Sequence, residues 1–149
     1  MSRRLEYERV YQEYFAQYIN HLDNDDTVAL DAHSEIRMSD GTRCDVFLTD
    51  GKGREYAVEV DFIDKFTEGV TQAARYSLLT GKRPGLLVIL EGQNPSLEEK
   101  KLGQLKDALE VIRIKCKNGL NKLGRQKYKW RTIRLWQITY EGLPLELRR

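Results

Sequence analysis

Residues 56–62, Tyr56-Ala57-Val58-Glu59-Val60-Asp61-Phe62, decide the fold. Aromatic and β-branched residues dominate the run, which suits a central strand. Side chains alternate across a strand, so Val58, Val60 and Phe62 share one face while Glu59 and Asp61 share the other. A carboxylate inside such a strand is costly to bury unless something pairs with it. Downstream, Lys65 to Thr80 carries helical spacing and stops at Gly81, with Pro84 just beyond. The run Gly85-Leu86-Leu87-Val88-Ile89-Leu90 reads as a strand buried on both faces. Ser96 with Glu99 forms a capping box that opens a third helix. Its stripe of Leu102, Leu105, Leu109, Ile112 and Cys116 predicts helix to about Gly119. A basic loop follows, then a final strand from Thr132 to Thr139 with Trp136 in the core.

Upstream, Arg43 to Leu48 reads as a strand joined to the central one by a turn over Asp50 to Gly53. Asp40-Gly41 is a two-residue hairpin signal, and Thr27 to Met38 is its extended partner. The run Asn24-Asp25-Asp26 breaks a first helix over residues 3–22. The predicted order is α-β-β-β-α-β-α-β, an α/β domain with a mixed β-sheet flanked by helices. Neither a linker nor a repeat divides residues 1–149.

Hydrophobic residues make up 40% of the 149 and charged residues 32%, a soluble globular composition without a run long enough to span a membrane. The start, MSRRLEYERV, has no apolar stretch, which predicts a cytoplasmic protein. Cys44 and Cys116 are expected as reduced thiols outside any metal cluster. Net charge is only +2, yet nine of the 25 basic residues lie between 111 and 140, where there is no acid. The other 16 face 23 acids elsewhere. A basic tail on an acidic body points to a polyanionic partner, against the plainer alternative of a solvated basic surface. Tyr128 and Trp130 interleave with that tail and either stack on bases or pack under the sheet.

Asp45, Glu59 and Asp61 are placed to converge on one edge of the sheet. Hard oxygen ligands of this kind suit Mg2+ or Mn2+, with phosphate oxygens completing the shell. The alternative is a solvent-facing strand whose acids are merely exposed. On the next helix Lys65, Gly69, Gln72 and Tyr76 fall within about 60° of one another. A lysine in a first helical turn opposes the helix dipole. Either a function explains it, or Lys65 pairs on the surface with Asp61 or Glu68. His21 and His33 lack a nucleophile partner, and Gly51-Lys52-Gly53 reads as a turn rather than a phosphate loop.

The ordered set Glu35-x-Arg37, Asp40-Gly41-Thr42-Arg43-Cys44-Asp45, Ala57 to Phe62, Lys65, Gln72, Tyr76 and Thr80-Gly81-Lys82 resembles the PD-(D/E)xK nuclease superfamily. The resemblance covers residues 30 to 91 and leaves the basic tail unmatched. It implies a restriction-endonuclease-like core and Mg2+-dependent (or Mn2+-dependent) endonuclease action on DNA. Asp45 and Glu59 would be metal-binding carboxylates, with the Val60 carbonyl a further ligand and Asp61 beside them. Cys44 stands where the family has proline, and Asp61 where it has the catalytic lysine. Lys65 is then the candidate for a lysine migrated to the next helix, and Gln72 resembles a helix glutamine of resolvase-like branches. Glu35, across a two-residue turn, would face away from Asp45. Arg113, Lys117, Lys122, Arg125, Lys127, Lys129 and Arg131 would bind nucleic acid. Cutting two strands with one small site implies a homodimer. The competing functions are a non-catalytic nuclease-fold DNA-binding or assembly module and an RNA-binding protein.

Overall fold

The computed structural model describes residues 3–18, 29–37, 41, 43–112, 114–120 and 126–143. Strand β2 (Arg43–Asp50) buries every second residue: Cys44, Val46, Leu48 and Asp50. Asp50 sets the turn into β3 (Glu55–Phe62). Its carboxylate accepts the backbone N–H groups of Lys52 and Arg54 at 2.9 Å each and Arg54 Nε at 2.7 Å. That turn fixes the antiparallel register, Thr49 with Glu55 through Val46 with Val58. On the far side of β2, strand β1 (Ala29–Arg37) pairs antiparallel, with Ser34 opposite Val46 and Ile36 opposite Cys44. Beyond β3 come β4 (Arg83–Leu90) and then β7 (Arg134–Thr139), both parallel to it, giving the five-stranded mixed order β1-β2-β3-β4-β7.

Helices cover both faces. On one, Tyr11 and Phe15 of α1 (Arg3–Tyr18) pack with Val46, Val58, Val60, Phe62, Leu87, Ile89 and Trp136. Burying these side chains is the main stabilising term of the core. Trp136 meets Phe15 and Tyr56 edge-on, with centroids 5.4 and 5.6 Å apart. Gly85 makes room for it, since a Cβ there would lie 2.8 Å from the indole ring. On the opposite face, Ala73 of α2 (Phe66–Thr80) and Leu105 and Leu109 of α3 (Pro95–Val111) close over Leu86 and Val88 of β4. Among the described residues no helix is long and apolar enough to cross a membrane.

Five expectations are corrected. The α3 cap is Asn94, whose side chain accepts Leu97 N–H, with Pro95 in the first turn; Glu98, not Glu99, reaches back to Glu91 N–H and Gly92 N–H. The helix ends at Val111 rather than near Gly119. The basic segment is a hairpin of β5 (Ile114–Leu120) and β6 (Gln126–Arg131), so two further strands join the predicted order. Ile112, Ile114 and Cys116 alternate with Arg113, Lys115 and Lys117, a period of two that wins once the helix has no more core to cover. The connection between β1 and β2 spans residues 38–42 instead of a two-residue turn, because Arg37 pairs with Arg43. Finally, Lys65 ends a 3-10 turn (Ile63–Lys65) and caps α2 rather than lying inside it. Asn24 to Asp26, His21, Arg113, Lys122 and Arg125 lie outside the described residues.

Candidate active site

The hairpin register carries the chemistry into place. Continuing the β2–β3 register puts position 45 across from 59, and the β1–β2 register puts position 35 across from 45. Position 35 thus stands opposite position 45, where a two-residue turn would have set it opposite 46, because the longer connection shifts the register by one residue. The three acidic positions 35, 45 and 59 line up across three neighbouring strands.

At that line the sheet opens. Backbone pairing of β2 with β3 stops at Val46 and Val58. The next rung would join Cys44 to Val60, but the Val60 N–H is taken by Asp45 Oδ2 at 2.8 Å. The Cys44 thiol turns to the carbonyls of Val46 and Val58, at 3.5 and 3.6 Å. Side chains therefore replace ladder bonds, which keeps the parting strands satisfied. Cys44 is an inert member of this arrangement, since burial pushes its thiol up to about 12.

Glu59 lies inside the gap and is only 7% exposed. Burial drives its carboxyl far above the usual carboxylate range, and a hydrogen bond to Asp45 and the charges of Asp45 and Asp61 push the same way. The pair Asp45–Glu59 holds a proton between them at neutral pH. The buried Tyr76 hydroxyl, from α2, donates to Glu59 and opposes the shift. Tyr76 itself is raised, first by desolvation and then by the adjacent acids. Asp61, half-buried on the same face, accepts the Phe62 N–H at 3.0 Å. Its carboxyl rises to about 6: desolvation lifts it, the Phe62 bond and Lys65 lower it, and Glu68 and Asp45 raise it.

Helix α2 reaches this face because residue 69 is glycine. A Cβ there would lie 3.0 Å from Leu86 Cδ1 and 3.4 Å from Asp61 Cβ. Of the other predicted site residues, Lys65 is exposed and acts on Asp61. Gln72 is half-buried, and its Oε1 accepts Arg75 Nη1 at 3.4 Å. Lys117, Lys127, Lys129 and Arg131 sit on the β5–β6 hairpin. Tyr76 and Cys44 carry roles that their sequence positions did not announce. The sequence put Tyr76 in line with Lys65, Gly69 and Gln72 and set Cys44 beside Asp45, without naming the partner of either.

Among the described residues no three His, Cys, Asp or Glu side chains gather into a ligand cluster. A divalent magnesium site needs less than that: one or two carboxylates suffice when water and phosphate oxygens fill the shell. Asp45 and Glu59 meet this requirement. They are hard donors in mutual contact, and the partners that shift Glu59 are acids and a phenol rather than a cation. The donor set fits Mg2+ or Mn2+. No family model, curated protein or solved structure matches the chain.

Proposed function

We propose that this protein is a Mg2+- or Mn2+-dependent DNA endonuclease with a restriction-endonuclease-like core, acting in the cytoplasm. The observation that carries the reading is the broken β2–β3 ladder, where two strands part and two carboxylates meet in a buried gap. Such an arrangement is costly for folding and has an evident use only once a cation replaces the shared proton. When bound, the metal supplies Lewis acidity and an acidified water for phosphodiester hydrolysis. Asp45 and Glu59 would hold it, Glu59 giving up its proton as they do so. Strand residues direct N–H and C=O to the same side, so the Val60 carbonyl borders the gap as a further donor. Tyr76 orients Glu59. Asp61 and, by its register position, Glu35 add negative charge beside the pair. Lys65, exposed at the junction before α2, would neutralise charge developing on the phosphate. Two copies of the chain would place one site on each DNA strand.

A second reading has its own support. Lys65 acts on Asp61, which stands where the nuclease pattern has its lysine, and is not among the groups that shift Glu59; this suits a nuclease fold that binds DNA without cutting it. Cleavage of plasmid, linear and branched DNA with Mg2+, Mn2+ or EDTA decides between them. The nuclease reading expects metal-dependent cutting that Glu59→Ala abolishes. It also expects Lys65→Ala to lose cutting while DNA affinity stays near wild type. Binding without cutting in every metal would establish the module instead.

A further inference from the structure

The β5–β6 hairpin forms its own two-stranded sheet, separate from the main one. Its register pairs Lys115 with Trp130 and Lys117 with Tyr128, and Cys116 with Lys129. Each of these rungs joins a cation to an aromatic or small apolar residue, and none joins it to an acid. Opposed residues of an antiparallel ladder share a face, so Lys115, Lys117, Tyr128 and Trp130 belong to one face of the ribbon. In sequence the ribbon lies within the acid-free stretch from 111 to 140. In space, β5 runs beside α2, the helix that brings Tyr76 to Glu59 and lies against Asp61. The ribbon is therefore on the carboxylate side of the sheet.

We propose that β5–β6 is an arm that docks in the major groove of duplex DNA, with Lys115 and Lys117 on phosphates. Resting on the nuclease reading only for the step after docking, the arm would present the DNA backbone to Asp45 and Glu59. The major groove of B-form DNA admits a two-stranded β-ribbon between two rows of phosphate. A-form RNA has a major groove too narrow for it, and a single strand offers no groove. An acid-free ribbon carrying lysines matches the phosphate rows in charge.

Fluorescence anisotropy with the wild-type chain in EDTA, where metal-dependent cutting is suppressed, tests this directly. The probes are a short DNA duplex, its single strand and the matching RNA duplex, each across a range of salt. The DNA duplex is expected to bind most tightly. Lys115→Ala with Lys117→Ala should weaken it about tenfold or more and reduce the slope of log affinity against log salt by about 2. Lys115→Gln with Lys117→Gln should do the same, and circular dichroism verifies that both double variants are folded. Lys100→Ala with Lys106→Ala, exposed on α3, should leave affinity within about twofold, because they lie off the arm. A folded ribbon variant with wild-type affinity and slope overturns the proposal, as does tighter binding of the single strand or the RNA duplex. Cleavage is scored separately. Ribbon-dependent duplex binding without cutting in any metal keeps the arm and removes the nuclease, whereas cutting with ribbon-independent binding does the reverse.

Discussion

At position 59, replacing Glu with Gln keeps the side-chain shape and removes the acid. In the metal-free protein at pH 8 the unfolded chain ionises Glu59 while the folded chain holds it protonated. Folding must then take up a proton, and that requirement weakens the fold. Glu59→Gln should therefore raise the metal-free melting temperature, by roughly 1–3 kcal/mol in stability, while abolishing cleavage. A loss of both stability and activity would mean that the carboxyl is structural. Asp61 obeys the same sign over a narrower range. Its folded carboxyl sits at about 6 against an ordinary 3.8, so the stability it contributes is complete below 3.8 and is lost as pH rises through about 6. Thermal melts in EDTA should fall across that window, with Glu59 adding to the fall from 4.5 upward and carrying it on above about 6; Asp61→Asn should make only the lower part shallower. Tyr76→Phe deletes the hydroxyl donated to Glu59, at an expected cost of about 1–3 kcal/mol, read by denaturant melts.

Helix α2 is where a single residue governs the spacing between elements. Gly69→Val would drive methyl groups into Leu86 and Asp61, lifting α2 off β3 and costing about 1–3 kcal/mol. The same shift withdraws Tyr76, so cleavage should fall further than the melting temperature alone accounts for. Much of this layer was legible in the sequence. The alternation of 43–50 has a strand period, the β-branched and aromatic run of 55–62 favours a strand, and the apolar run of 85–90 is too short for a helix and is flanked by Gly81 and Pro84; all three are strands. Glu59 and Asp61 were visible as acids inside such a run. Other features were hidden for physical reasons. Leu105, Leu109, Ile112 and Cys116 satisfy a helical period while Ile112, Ile114 and Cys116 satisfy a strand period, so spacing could not place the end of α3. The part played by Glu35 hung on one residue of turn length, which no local pattern fixes. Tyr76 stood in line with Lys65, Gly69 and Gln72, but helical spacing alone does not name Glu59 as its partner; only the contact across space does.

For the molecule as a whole, a cation that binds the folded chain and not the unfolded one must stabilise it. Mg2+ or Mn2+ at a hundredfold excess over its dissociation constant contributes about 2.7 kcal/mol. The melting temperature should climb with metal in the wild type and stay flat in Glu59→Gln. A flat response in the wild type would remove the metal site. The hairpin register has another outcome, at the level of architecture. Ile114 pairs with Arg131, so the chain leaves for the ribbon and returns at points about 5 Å apart. Loop-closure entropy depends only weakly on length, which makes this seam tolerant of both shortening and exchange. Excising residues 113–131 and stitching Ile112 to Thr132 with a short Gly-Ser bridge should leave a cooperatively melting protein that still responds to metal but no longer holds DNA. The ribbon then behaves as a cassette, and a foreign hairpin spliced at the same seam would give the same two carboxylates a new address.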